Sequence, residues 1–204
     1  MSNKRKYESK LRTSGAAETR ARIQRAARKL ITNTGFEGTT VNAIAEEAGV
    51  SPQTVYSVFG SKAAIVASML EHLEDEAGEA ETVEELMAEK EPRRQLQIFS
   101  GWIRRLFDMS VDVFSVVIQS PSEPALAKIR ESGDSRRLDG CKLMAGAWAE
   151  MGALNDNANP DGAAEQLWLL TSFETYLNCT KGLGWDSDRY EKWVAESAER
   201  LLYS

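Results

Sequence analysis

The chain has 204 residues, 42% of them hydrophobic, and a formal net charge of −6 at pH 7. That length allows one sizeable core or two small ones, and no apolar run is long enough to cross a membrane. The N-terminus is charged without the apolar core of a signal peptide, so the expectation is a soluble, cytoplasmic protein.

The overall charge hides an asymmetry. Residues 1–62 carry eleven Lys and Arg against five Asp and Glu, whereas residues 63–204 carry fourteen against twenty-six. A basic N-terminal module on an acidic body suits docking onto phosphates while the body is held away.

Residues 1–16 contain Lys4, Arg5, Lys6, Lys10 and Arg12 with few apolar groups. They are expected as a basic flexible arm, serving solubility or reaching a phosphate or minor groove. A first helix follows from about Ala17 to Asn33, with Ile23, Ala26, Ala27, Leu30 and Ile31 as its apolar stripe. Its arginines occupy the other faces, and Gly35 lies just past its end.

Residues 39–62, TTVNAIAEEAGVSPQTVYSVFGSK, read as two short helices joined by a tight turn and followed by the start of a third. Thr40 caps the first, and Val41, Ile44, Ala45 and Ala48 share one face. Gly49 suits the positive φ of a helix end, and Val50 plugs the turn. Ser51 caps the second helix, Pro52 takes its first position, and Val55 and Val58 face inward. Gln53, Thr54, Tyr56 and Ser57 are left facing outward. This layout places one helix in a DNA major groove.

From Ser61 a longer helix carries Ile65, Val66, Met69, Leu70 and Leu73, fading over residues 74–78. His72, the one histidine, lies on it as a surface residue with no second metal ligand nearby. A helix over about Pro92–Ser110 has an apolar arc wide enough to be central. Val111–Ile118 forms a short separate run, and a helix from Pro124 to about Met151 is expected to break or kink near Gly133. After an Asn- and Asp-rich turn at residues 155–159, one helix runs from Pro160 to about Lys181. A final helix spans about Asp186–Leu202. Cys141 and Cys179 sit within helical patterns as buried free thiols. With no alternating strand pattern, the fold class is all-α, of about nine helices.

Residues 39–62 with the preceding helix resemble the DNA-binding domain of the TetR family of bacterial transcriptional regulators. The matching residues are Gly35 and Phe36, Thr39-Thr40-Val41, Ile44-Ala45, Ala48-Gly49-Val50-Ser51, Val55-Tyr56, Phe59 and Ser61-Lys62. The resemblance covers about a quarter of the chain. It implies a three-helix helix-turn-helix head at residues 17–62 and a helical ligand-binding and dimerisation body at 63–204. It further implies a dimeric repressor on a palindromic operator, released or tuned by a small-molecule effector. In that pattern Gln53 and Thr54 meet base edges, Tyr56 a phosphate and Ser57 either. Thr40 and Lys62, at neighbouring helix starts, converge on the backbone, and Ser51 completes the DNA-facing set.

The last two long helices would pair across the dimer. Leu167, Leu170, Thr171, Glu174, Leu177 and Asn178 mark one face, and Trp193, Val194, Ser197 and Leu201 the other. Phe99, Trp102, Met144, Trp148 and Phe173 are candidates for the effector pocket, although aromatic stripes are more often plain core. No acid, histidine or thiol cluster suggests a metal, and no cofactor is expected. An enzyme is disfavoured by the absence of a Gly-rich phosphate loop, a nucleophile elbow and metal-ligand spacing. An architectural DNA-binding protein without an effector is the second rival, and a fully packed body would favour it.

Overall fold

The computed structural model describes residues 2–156 and 158–203, with side chains from Gly15 onward. Ten α-helices and one π-helical turn account for nearly all of them, and the described residues include no strand beyond an isolated bridge between Leu154 and Tyr203. The first three helices are α1 (Ser2–Gly38), α2 (Val41–Ala48) and α3 (Pro52–Phe59). Next come α4 (Lys62–Glu76), α5 (Glu79–Ala88), α6 (Pro92–Gln119) and α7 (Pro124–Glu150). Then follow α8 (Pro160–Leu170), α9 (Phe173–Leu177), the π turn Asn178–Gly182 and α10 (Ser187–Leu202).

The head is assembled as its local chemistry dictates. Thr40, Ser51 and Ser61 each take extended backbone, and each side chain accepts from the N–H three residues on, at the starts of α2, α3 and α4. Gly49 ends α2 at φ 64°, and Gly35 bends α1 at φ 77° so that Phe36 turns back into the core. Ile23, Ile31, Ile44, Val55 and Ile65 are then almost wholly buried.

In the body, α6 is central, packed against α1, α4, α5, α7, α9 and α10. A tilted array of Phe107, Phe114 and Phe173 lies between it and α9, with ring centroids 5.0–5.7 Å apart. No described helix is long and apolar enough to cross a membrane.

Several boundaries differ from the sequence reading. The backbone of the basic N-terminal segment, expected as a flexible arm, is helical and continuous with α1; Lys, Arg, Glu and Leu there are good helix formers. The helix α5 is an addition, because EAETVEELMA has too few apolar residues for a clear period. It is tied down by polar contacts instead. Gln95 donates through Nε2 to the carbonyls of Leu86 (3.0 Å) and Glu89 (2.9 Å).

Residues 92–119 form one helix rather than a helix plus a separate run: no Gly or Pro stands at 110–111, and Ser110 is buried with its hydroxyl donating to the Leu106 carbonyl. α7 passes through Gly133 unbroken, since a lone glycine lowers helix propensity without removing a hydrogen bond. The expected helix over 160–181 does break. Ser172 leaves the helix to cap α9, accepting from Thr175 N at 3.1 Å, while Arg137 takes the Trp168 carbonyl at 2.5 Å.

Candidate functional site

Two places concentrate chemistry: the outer face of the head and a cavity in the body. On the head, α3 presents Gln53, Tyr56 and Ser57 to solvent, with Tyr56 51% exposed. Thr54 is half-buried, and its hydroxyl lies 2.9 Å from that of Ser51, so the cap and the outward face share one hydrogen bond. Thr40 is exposed at the start of α2, its Oγ1 accepting from Ala43 N at 3.1 Å. Those six residues thus lie on α3 or at the capped starts of α2 and α3.

Lys62 is placed differently from the expectation. Its ammonium donates to the Thr39 carbonyl at 2.7 Å and to the Phe36 carbonyl, and stands 4.0 Å from the centre of the Phe36 ring. Burial lowers its pKa against the pull of Glu123 and Glu37. This geometry makes Lys62 a fastener between α4 and the end of α1, with most of its donors turned inward.

Three arginines of α1, Arg20, Arg22 and Arg28, are likewise engaged within the fold. Arg22 donates to the Ala48 and Gly49 carbonyls at 2.5–3.1 Å, closing the C-terminus of α2 where a cation is favoured. Arg20 donates to Ser68 Oγ at 2.6 Å and covers the Phe59 ring at 4.5 Å. Arg28 makes a two-pronged pair with Asp112, both bonds 2.8 Å, and donates to the Met109 carbonyl at 2.7 Å. That last set joins the head to α6. Sequence reasoning missed it because the partners lie 84 residues apart.

The body holds an open cavity of about 1210 Å³ between α4, α5, α6 and α7, reaching Phe173 on α9. Of the sequence candidates, Phe99, Trp102, Met144 and Phe173 line it. Trp148 does not. Its side chain is fully buried, donating through Nε1 to Gln95 Oε1 at 2.6 Å and packing edge-on against Tyr203. It is a core residue whose polar edge is already satisfied. Phe107 and Phe114 line the wall and were not singled out, since their period does not separate a cavity wall from a core.

α4 connects the two places. Ala63, Ala64, Ala67, Leu70 and Glu74 line the cavity, while Ser61 and Lys62 at its start hold the head. Elsewhere, both cysteines are buried free thiols, and burial pushes the Cys141 thiol up to about 11. His72 is exposed and sits 3.4 Å from Glu76. Among the described residues no group of three or more His, Cys, Asp or Glu side chains could hold a metal ion.

The expected dimer faces are partly interior. Leu167, Thr171 and Val194 are fully buried in the chain's own core, and Glu174 pairs with Arg130 at 2.5 Å. Of the expected apolar residues Leu201 faces outward, and Leu169 and Leu183, which were not named, do so as well.

A helix-turn-helix head whose fourth helix runs on to wall a cavity defines a two-part, all-α DNA-binding protein. Over residues 23–69 the chain matches the model of the bacterial regulatory proteins of the tetR family. The matched residues make the head a TetR-type DNA-binding domain. No curated protein matches the sequence.

Solved structures share the fold throughout. NalD of Pseudomonas aeruginosa, the secondary repressor of the MexAB-OprM multidrug efflux pump, has a TM-score of 0.73 at 21% identity over 92% of this chain and 97% of its own. A transcriptional regulator from Saccharomonospora viridis in complex with choline has a TM-score of 0.69 at 20% identity, over 92% and 99%. The SmeT–triclosan complex has a TM-score of 0.76 at 17% identity, over 91% and 92%.

Proposed function

We propose that this protein is a dimeric, ligand-responsive transcriptional repressor that binds a palindromic operator and changes its affinity when a small molecule enters the body. The observation that carries the reading is α4, which fastens the head at one end and walls a cavity of about 1210 Å³ along the rest. A ligand that prefers one position of α4 shifts the head with it, by the 1–3 kcal/mol typical of allosteric coupling. The cavity also disfavours the architectural alternative, whose body would have no reason to be hollow. Structural neighbours crystallised with choline and with triclosan fit a body of this kind.

On DNA, Gln53, Thr54 and Ser57 would read base edges. Tyr56 would meet a phosphate, and the capped starts of α2 and α3 at Thr40 and Ser51 would offer backbone N–H groups to the strand. Selection of sites from a random duplex pool, followed by titration of the best site at two salt concentrations, tests this. A palindromic consensus with a steep salt slope is expected, and Gln53→Ala should relax preference at particular bases by about 1–3 kcal/mol. Weak binding without enrichment would overturn the reading.

A further inference from the structure

The cavity wall has two properties that together restrict what it can hold. Its inner surface is apolar and aromatic, with Phe99, Phe107, Phe114 and Phe173 along one side. Its charged lining has seven carboxylates against five cations. Arg130 is paired with Glu174, and Arg137 lies over the Trp168 ring at 4.6 Å while donating to the Trp168 carbonyl. Arg136 is paired with Glu74 at 3.0 Å. The lining lysines, Lys90 and Lys128, are exposed. Glu71, Glu79 and Glu150, exposed like those lysines, also line the cavity.

Glu74 is the inner member of this acidic set. Its side chain is 17% exposed, while that of its partner Arg136 is 61% exposed. An ion pair with one member in the wall and the other in solvent is weak and exchangeable. Burial raises the Glu74 pKa, Arg136 opposes that, and Glu79, Glu71 and Asp75 add to it. A cation delivered from within the cavity would relieve all of these carboxylates together.

We infer that the cavity takes a hydrophobic organic cation, its charge held by Glu74 and its apolar body packed against the aromatic rings of α6 and α9. This rests on the reading of the body as a ligand-binding domain. The aromatic faces favour the same class, since a ring presents its negative quadrupole to a cation. The mouth agrees in chemistry. Val83 and Met87 on α5, Leu143 on α7 and Met151 just past its end are large apolar side chains exposed at its lining, a rim onto which a hydrophobic molecule partitions. Trp102 Nε1, buried without a partner among the described residues, adds a donor for an acceptor atom on the ligand.

Tetraphenylphosphonium and tetraphenylborate share shape and apolar surface but differ in sign, so calorimetric titration of the full chain with each isolates the charge. The phosphonium is expected to bind at least about tenfold more tightly. Glu74→Gln should cost it about tenfold, and Arg136→Ala, which frees the carboxylate, should tighten it; thermal melts confirm that both variants fold. Equal or tighter binding of the borate would overturn the cationic class while leaving the body a ligand-binding domain. Binding of neither ion would overturn the class together with the ligand half of the proposed function, and operator titration would then report separately on the head.

Discussion

Lys62 illustrates how residue type and residue role separate. A lysine at a helix start facing DNA reads as a phosphate contact, yet its ammonium is held by two backbone carbonyls and a ring. Lys62→Met should therefore lower the stability of the head by about 1–2 kcal/mol, because the Phe36 and Thr39 carbonyls lose a charged donor. The salt slope of operator binding should hardly change, since no phosphate contact is removed. Thermal unfolding and titration at two salt concentrations measure the two effects; a reduced slope with unchanged stability would restore the phosphate role. Thr40, Ser51 and the exposed face of α3 were legible in the sequence because caps and turns are set by neighbours a few residues away. The partners of Lys62, Arg22 and Arg28 were not, since each lies tens of residues distant.

Between elements, the head joins the body where α1 and α4 both pack on α6. On the α1 side, Arg28 meets Asp112 and the Met109 carbonyl. Burial pushes the Asp112 carboxyl up, but the Arg28 hydrogen bond and charge outweigh it and leave the pKa below the ordinary carboxylate value. The sign follows directly. A depressed carboxyl contributes stability above its unfolded pKa and loses it as pH falls through the folded one. Acidification below the ordinary carboxylate range should therefore loosen the head from α6. Asp112→Asn should reproduce part of that loosening at neutral pH, keeping the shape but removing the charge.

Operator affinity of Asp112→Asn should survive while its response to a bound effector shrinks, measured as the ratio of dissociation constants with and without ligand. An unchanged ratio would put the coupling in α4 alone. The same scale shows where pattern reading gave out. α5 and the break at Ser172 are held by side-chain hydrogen bonds from Gln95, Arg137 and Ser172, which no periodicity encodes. The long stripes of α1, α4 and α10 are hydrophobic periods and were visible.

At the scale of the whole molecule, one α3 reads only a few base pairs, so the proposed repressor needs two heads related by a two-fold axis. The outward faces of α8 and α10 are the surface suited to this. Leu169 is 58% and Leu201 48% exposed, and Leu183, in the loop between the π turn and α10, is 64% exposed. Nearby, Trp185 and Trp193 pack edge-on at 5.7 Å, both half-buried, as a rigid aromatic shelf. Because Leu169 and Leu201 point away from the monomer core, charging them should leave the fold intact. Leu169→Glu and Leu201→Glu are each expected to shift the chain to monomer in sedimentation, with an unchanged helical signal. On a palindromic site the monomer should lose the second head's contribution, falling by roughly one hundredfold or more, while its affinity for an isolated half-site stays the same. A variant that remained dimeric with full operator affinity would remove α8 and α10 from the interface. The apolar rim of α5 and α7 would then be the next surface to charge, and the cation titration would report whether pairing there closes the cavity.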